Sequence, residues 1–181
     1  MRKLVLIIFV AICTVAYSQN HFAGAFYLDG SVGISDQKAF LPSIGIGYNF
    51  SDRWSVNGCY KYKSPSQADK YRFFEHSLDI FGKYAIFQKN YFSINLLAGF
   101  SQSINKYTEL PRPSFSPKVY NIGYVAGVEA EYFINNNMAL FSSVNNKGYF
   151  LDNSHFELSY SLGIRVDFSV FSKQLYHPAI H

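Results

Sequence analysis

The sequence predicts an all-β fold, an eight-stranded antiparallel up-and-down β-barrel. Three observations predict it: apolar and polar residues alternate in eight runs, long and short connections alternate between those runs, and aromatic residues gather beside the short connections. The composition agrees, because 19% of the residues are aromatic and 15% are charged. A typical soluble domain is about 25% charged. The chain is therefore neither disordered nor a charge-rich coiled coil.

Residues 1–18 are predicted to be an export signal peptide. Residues 2–3 are basic, 4–15 form an apolar run, and Ala-Tyr-Ser at 16–18 ends in a cleavable junction. The apolar run is shorter than the roughly 20 residues that a membrane anchor needs. Cys13 lies inside this run and follows Ile12, which disfavours a lipoprotein.

The mature chain is nearly neutral and carries one cysteine. Removing Arg2 and Lys3 leaves 14 of the 16 Lys and Arg against 12 Asp and Glu, a net charge of +2. This charge is too small to indicate a nucleic-acid partner. Cys59 alone cannot form an internal disulfide. We expect packing and hydrogen bonding to stabilise the exported protein.

The last run shows the alternation most clearly. Leu162, Ile164 and Val166 occupy one side, and Gly163 and Arg165 occupy the other. Successive side chains of a strand point to opposite faces, so this run predicts a strand with one apolar face. The eight predicted strands are 22–34, 44–50, 54–62, 74–86, 92–100, 120–132, 138–149 and 158–168.

The earlier runs repeat this pattern with different polar residues. The first three and the fifth alternate apolar residues mainly with small or amide residues, as at Ile44 and Gly45. The fourth and sixth add charges, such as Asp79 and Glu129. The seventh is the weakest, because Phe141 falls on its polar side.

The connections predict how the strands are joined. Long and short connections alternate, which is typical of an up-and-down barrel with one long-loop rim and one short-turn rim. The long connections are 35–42, 63–71, 102–117 and 148–154. The short connections are 51–53, 88–90 and 134–137.

The apolar face is predicted to point outward into a membrane. A bilayer offers no hydrogen bonds to the backbone, so a closed barrel can span it. The polar face is rich in small residues that suit a narrow lumen, and it carries few charges for a surface in water. Aromatic residues beside the short turns suit a membrane interface: Tyr48, Phe50, Trp54, Phe87, Tyr91, Phe92, Tyr132, Phe133 and Phe168. A secreted soluble barrel that binds a small ligand is the alternative.

Two segments carry a family resemblance. Residues 47–54 read Gly-Tyr-Asn-Phe-Ser-Asp-Arg-Trp, and the closing segment contains Ser161, Gly163, Val166 and the terminal aromatic Phe168. With the signal junction, they resemble the small outer-membrane barrels of the OmpA/OmpX type. The chain is most similar to the outer-membrane β-barrel (PorT-like) proteins of Bacteroidetes.

The resemblance implies a location, an orientation and a domain layout. It implies an integral protein of the bacterial outer membrane, with both termini periplasmic and the long loops extracellular. Ser161, Gly163, Val166 and Phe168 would then form the C-terminal signal for the barrel assembly machinery. The expected layout is a signal peptide at 1–18, a barrel at 19–168 and a short periplasmic tail at 169–181.

Inward charges are the strongest candidates for a site, and a structural role is expected. Unpaired charges in a narrow lumen would be costly, so Arg165 and Lys83 should pair with Glu129, Glu131 and Asp167 near the short-turn rim. This cluster would close the lumen and hold the strand register. A gated ion path is the alternative. A second group lies near the long-loop rim, with two aspartates between the groups: Lys61, Glu75, Lys147 and Glu157, then Asp29 and Asp79.

The catalytic candidates are weak. His76 and Ser77 are neighbours on one strand and point to opposite faces, so they cannot pair directly. A second set at 155–159 places its histidine and serine too far apart. We expect no catalysis, no metal site and no cofactor.

The third long connection is the longest and is mildly basic. Lys106, Tyr107, Arg112 and Lys118 are candidates for contacts with lipopolysaccharide phosphates, other outer-membrane lipid or an envelope protein. The predicted function is structural, adhesive or binding. The alternatives are a barrel component of a protein secretion or assembly apparatus and a lipid-modifying outer-membrane enzyme.

Overall fold

Eight antiparallel strands close into one barrel, as the sequence predicts. The computed structural model describes residues 23–64, 73–107, 118–150 and 156–168. Each strand pairs with its neighbour along the chain, and β8 pairs with β1. In these segments no helix is long and apolar enough to cross a membrane. The strands are β1 (Phe26–Ser35), β2 (Phe40–Asn49), β3 (Trp54–Lys63), β4 (Phe73–Lys89), β5 (Phe92–Tyr107), β6 (Lys118–Asn135), β7 (Met138–Tyr149) and β8 (Phe156–Phe168).

The strand pairs are staggered by ten residues around the barrel. Starting from Phe26, successive partners lead through β2–β7 to Leu158, whose carbonyl accepts a hydrogen bond from the Asp36 amide. Asp36 lies ten positions beyond Phe26 on the chain. Such a stagger tilts the strands by about 40° and leaves an interior that side chains can fill.

The barrel has an apolar outside and a polar inside. Large hydrophobic side chains stand on the outer face, such as Phe100 at 71% and Ile44 and Leu162 at 62% exposed. Most buried side chains are Ser, Asn and charged residues. A water-soluble barrel has the opposite arrangement, so this surface suits a bilayer.

The alternation of long and short connections is less regular than the sequence suggests. The turn rim carries connections 50–53, 90–91 and 136–137, and the loop rim carries the other four. The first loop-rim connection spans only 36–39, because β2 already begins at Phe40, so the expected strict alternation is wrong there.

Pro42 lies inside β2 and has no N–H, so the β2–β3 pairing stops at Ser43. It resumes where the Ser64 amide donates to the Phe40 carbonyl.

The strands of one side are longer than predicted. β4, β5 and β6 contain 17, 16 and 18 residues, whereas β1, β2 and β3 contain ten each. Lys106, Tyr107 and Lys118, which were expected in a loop, therefore lie in β5 and β6. Arg112 lies outside the described residues. Beyond Phe100, β5 continues mainly in polar residues, and in the sequence alone such a polar segment is typical of a loop.

Phenylalanine side chains also lie inside the barrel. Phe133 was expected at the membrane interface, but it points into the lumen and is 2% exposed, so that expectation is wrong. Phe141 also points inward and fills space beside Gly163, where an added Cβ would lie 2.5 Å from the ring. Gly163 on β8 thus makes room for the Phe141 ring near the turn rim.

Replacing Leu162 by arginine tests the outward-facing apolar surface. Leu162 is the middle residue of β8 and lies on the outer face. Arginine at the bilayer midplane costs about 2–4 kcal/mol, so Leu162→Arg should lower the free energy of unfolding by that amount. The measurement is urea unfolding from phosphatidylcholine vesicles, followed by the fluorescence of Trp54, the single tryptophan.

The matched control is Asp52→Arg, which places the same side chain in the exposed 50–53 turn. We expect it to change the free energy of unfolding by less than about 0.5 kcal/mol. If Leu162→Arg were as stable as the unmodified protein, the outer face of β8 would not meet lipid.

Candidate functional site: the charged interior

The barrel interior carries twelve charged side chains from the described strands. Their burial is nearly complete, because all but one are at most 8% exposed, and the Lys61 side chain is 17% exposed. These residues are Lys61, Lys63, Lys83, Lys147, Arg165, Asp29, Glu75, Asp79, Glu129, Glu131, Glu157 and Asp167. They divide into two groups, one nearer each rim.

The lower network, nearer the turn rim, is centred on Arg165. Its guanidinium lies 3.1 Å from Glu129, 3.4 Å from Asp29 and in contact with Glu131. Lys83 Nζ adds a second cation 2.9 Å from Glu129. These five residues belong to β1, β4, β6 and β8, so the network joins strands that are not neighbours in the sheet.

Amides and rings surround the lower network. Asn57 donates to Asp29 at 2.7 Å, and Asn95 donates to Glu131 at 2.8 Å. The Tyr27 ring centre lies 4.6 Å from the Arg165 guanidinium, close enough for a cation–π contact. The carboxylates therefore have amide donors as well as cations, as buried charges require.

Asp167 lies beside this network on the same face of β8. It is 3% exposed and stands opposite Tyr27 in the β1–β8 register. Its main chain is bound to the 136–137 turn, because its amide donates to the Asn137 carbonyl and its carbonyl accepts from the Asn137 side chain. With Asp167 included, the lower network contains two cations and four carboxylates.

The upper network lies nearer the loop rim and contains three lysines and three carboxylates. Lys63 Nζ lies 2.5 Å from Glu157, which joins β3 to β8 across the lumen. Lys147 Nζ lies 3.2 Å from Asp79 and 3.7 Å from Glu75, which joins β7 to β4.

Further contacts complete the upper network. Lys61 Nζ lies 2.9 Å from Asp79, and the Tyr149 hydroxyl donates to Glu75. Gln37 in the 36–39 connection accepts a hydrogen bond from Lys63 at 2.6 Å. Of the two aspartates expected between the groups, Asp79 thus belongs to the upper network and Asp29 to the lower network.

Lys63 and Tyr149 were missed by the sequence analysis. Lys63 was assigned to a long connection, but it continues the inward series of Cys59 and Lys61 at spacing two. Tyr149 was included in the seventh run without a role. The alternation carried through the strand end would have placed both residues in the lumen.

Little free space remains between the upper side chains. A cavity of about 10 Å³ lies among Lys61, Lys63, Glu75, Lys147 and Glu157. A water molecule needs about 10–15 Å³, so this space accepts at most about one. Cys59 is also buried in the lumen as a free thiol.

The catalytic candidates stay apart. His76 stands on the outer face, where its Nδ1 lies 2.6 Å from the Tyr60 hydroxyl. Ser77 points inward and accepts a hydrogen bond from Lys147 at 3.0 Å. His155 lies outside the described residues. Within the described segments no three His, Cys, Asp or Glu side chains are grouped to hold a metal ion.

The expected assembly residues lie in the strand that closes the barrel. Val166 and Phe168 face outward on β8, while Ser161 and Gly163 face inward. Ser161 Oγ lies 2.6 Å from Ser143 Oγ on β7. Their recognition by an assembly machinery stays a prediction. Residues 1–22 and 169–181, which include the expected signal peptide and tail, lie outside the described residues.

The comparisons identify a family and a set of similar folds. A profile of the family described as "Outer membrane protein beta-barrel domain" matches residues 4–145. Among solved structures, the N-terminal β-barrel domain of Pseudomonas aeruginosa OprF has a TM-score of 0.60 and 17% identity. The match covers 81% of this chain and 98% of that one.

Two further structures represent different roles on the same fold. Ail, the attachment invasion locus protein of Yersinia pestis, has a TM-score of 0.54 and 15% identity, with 81% of this chain and 100% of that chain covered. The outer membrane enzyme PagL has a TM-score of 0.52 and 15% identity, with 77% and 98% covered. At these identities the likeness shows the fold alone. No curated protein matches the sequence.

Replacing Arg165 by methionine tests the lower network. The variant keeps a long side chain but leaves Glu129, Glu131 and Asp29 buried with Lys83 as the nearby cation. Removing one partner of a buried ion pair costs about 3–5 kcal/mol, so the free energy of unfolding should fall by that amount. Urea unfolding from vesicles measures it.

The double variant Arg165→Met with Glu129→Gln should recover about 0.5–3 kcal/mol relative to additive losses, because it removes one uncompensated charge. Lys38→Met, at an exposed position of the 36–39 connection, serves as the control and should leave stability unchanged. If Arg165→Met unfolded at the same urea midpoint as the unmodified protein, the guanidinium would not stabilise the lower network.

Proposed function

The chain belongs to the outer membrane protein β-barrel domain family, and we propose that it is a closed-lumen surface barrel. In this proposal the protein is integral to the bacterial outer membrane, its loop rim is extracellular, and its role is structural, adhesive or binding without catalysis. A cleaved signal peptide exports it, and the barrel assembly machinery inserts it through the β8 segment.

The cross-lumen ion pairs carry this proposal. Lys63–Glu157 and Lys147–Asp79 connect non-neighbouring strands near the loop rim, and Arg165–Glu129 does so near the turn rim. Lys83 on β4 also pairs with Glu129, so side chains from opposite walls meet at two levels. An eight-stranded barrel is just wide enough for such side chains, which supports a closed lumen over a gated ion path.

The same pairs support a role in strand register. Shifting one strand by a single residue would turn its inward charges toward lipid. Arg165 would lose its carboxylates and meet the bilayer interior, where a charge is costly. The interior charges thus favour one register, although a buried ion pair adds little stability by itself.

The connections of the loop rim are the proposed contact surface. Residues 64–72 join β3 to β4, residues 108–117 join β5 to β6, and both connections would lie outside the cell. Ail is named for attachment and shares the fold, which supports an adhesive or binding role for such connections. Arg112 and its neighbours would then contact an envelope protein or lipid.

One structural neighbour supports a second candidate, a lipid-modifying enzyme. PagL is an outer membrane enzyme with the same fold. In this chain His76 and Ser77 point to opposite sides of the wall, which favours the non-catalytic proposal. Mass spectrometry of membrane lipids from a deletion strain separates the two: a missing lipid modification, restored by the gene, would favour the enzyme.

The PorT-like resemblance leaves a secretion-apparatus component as a further alternative. Crosslinking in intact cells followed by purification distinguishes it from a stand-alone barrel. Stoichiometric capture of envelope secretion proteins would favour the apparatus, and recovery of the barrel with lipid alone would favour the proposal.

Electrical recording in planar phosphatidylcholine bilayers tests the closed lumen. The folded, unmodified protein should give no steady current, because two levels of paired side chains obstruct the lumen. Folding is verified by the change in gel mobility between unheated and boiled samples. A steady open-channel current from protein with the folded mobility would contradict the proposal.

Variants separate the two levels. Lys63→Ala with Glu157→Ala removes one pair without changing the net charge, and the lower network should still prevent a current. Adding Lys83→Ala with Glu129→Ala opens both levels and should raise the conductance. Equal conductance in all three folded proteins would assign the closure to other residues.

A further inference from the structure

The tip of the β1–β2 hairpin lies against the upper network at the loop rim. It comprises residues 34–41, which run from the end of β1 through the 36–39 connection to the start of β2. Gln37 is half-buried, Ala39 is 1% exposed and Leu41 is 8% exposed. Leu41 also lines the small cavity among the upper charges. The tip therefore covers part of the upper network, and we call it the lid.

One side chain connects the lid to the upper network. The Gln37 Oε1 atom accepts a hydrogen bond from Lys63 Nζ at 2.6 Å. The same ammonium group lies 2.5 Å from Glu157 on β8. The lid therefore shares a cation with the ion pair that joins β3 to β8. Because a hydrogen bond to a charged group is stronger than one between neutral groups, this contact holds the lid against the network.

The strands below the lid contain two residues that weaken the sheet. Gly33 and Pro42 lie side by side there, because Gly33 pairs with Leu41 and Val32 pairs with Pro42. Pro42 has no N–H, and the β2–β3 pairing stops at Ser43. Glycine inside a strand has no side chain to pack. The hairpin therefore bends most easily at this level.

Above Pro42, the backbone of the lid is joined to β3 through Ser64. The Ser64 amide donates to the Phe40 carbonyl at 3.0 Å, and the Phe40 amide donates to Ser64 Oγ at 3.1 Å. On the other side, the β1–β8 ladder reaches Ser35, and the Asp36 amide donates to the Leu158 carbonyl at 2.8 Å. The β2 half of the lid can therefore leave β3 while the β1 half stays in the sheet.

We propose that the lid opens and closes over the upper network. Gly33 and Pro42 are the hinge, and the Gln37–Lys63 hydrogen bond is the latch. Opening exposes the Lys63–Glu157 pair to water at the loop rim, whereas the lower network still closes the lumen to ions. The proposal rests on the closed-lumen function above and gives its upper level an open and a closed state.

Cys59 is a natural reporter of this movement. It is a buried free thiol on the inner face of β3, four positions from Lys63 toward the turn rim. At about 3.3 Å per residue and a tilt of about 40°, it lies roughly 10 Å below Lys63 along the barrel axis. A water-soluble thiol reagent reaches it from the loop rim when the lid is open. The labelling rate then follows the open population.

Alkylation of Cys59 by iodoacetamide tests the lid. The folded protein in phosphatidylcholine vesicles is labelled without denaturant, and mass spectrometry of the Cys59 peptide gives the rate. Gln37→Ala should raise this rate about tenfold to hundredfold, because it removes a hydrogen bond to a charged group. Pro42→Val should lower the rate, because it supplies a backbone donor between β2 and β3.

Two controls separate opening of the lid from general loosening of the barrel. Lys38→Met changes an exposed side chain of the same connection and should leave the rate unchanged. Hydrogen exchange in Gln37→Ala should be faster at the Ser64 amide and unchanged at 94–100 of β5. The gel mobility of unheated samples verifies folding. If the alanine variant misfolds, Gln37→Asn replaces it with the same expected rise, because its shorter side chain draws the amide away from Lys63.

Three results would overturn the lid. They are equal alkylation rates in Gln37→Ala and the unmodified protein, an equal increase in Lys38→Met, and exchange that accelerates in β5 as much as at Ser64. A barrel that conducts no current but shows any of these results leaves the closed-lumen proposal standing. A conducting barrel in which Gln37→Ala is alkylated faster does the reverse.

Discussion

A charge inside this barrel needs a partner of opposite sign from another strand. The interior is too narrow to hydrate twelve charged side chains, and the backbone N–H and C=O groups are already used in the strand ladders. Arg165 on β8 therefore depends on Glu129 on β6, and Lys63 on β3 depends on Glu157 on β8. Because Lys83 on β4 also pairs with Glu129, these contacts connect opposite walls at two depths.

This requirement also explains why the interior tolerates so few large apolar residues. Tyr27, Phe133 and Phe141 enter the lumen near the turn rim, where Gly47 and Gly163 leave room for the Tyr27 and Phe141 rings. The centres of the Tyr27 and Phe141 rings lie 4.6 and 5.0 Å from the Arg165 guanidinium, and these rings help to exclude water from it. Exclusion of water strengthens the ion pairs and makes a missing partner more costly.

The sequence predicted the barrel because alternation of period two is a local property that burial on one face imposes on every strand. It also placed Lys83, Glu129, Glu131 and Arg165 at one depth, and the structure brings these four together. Strand ends were harder to predict, since β3, β5 and β6 continue in polar residues toward the loop rim. Lys63 and Lys106 were assigned to loops for this reason, although one points inward and the other outward. Phe133 was misplaced because a ring beside a turn suits either face.

The contrast between Lys63 and Lys106 shows that the environment determines what a lysine of this barrel can bind. Both lie toward the loop rim on regular strands, but Lys63 faces a lumen that supplies Glu157 and Gln37. Its charge is satisfied within the protein and is not available to a ligand. Lys106 faces outward and is exposed, so no facing wall can supply it with a carboxylate. The same residue type is therefore a structural link inside the barrel and a surface charge outside it.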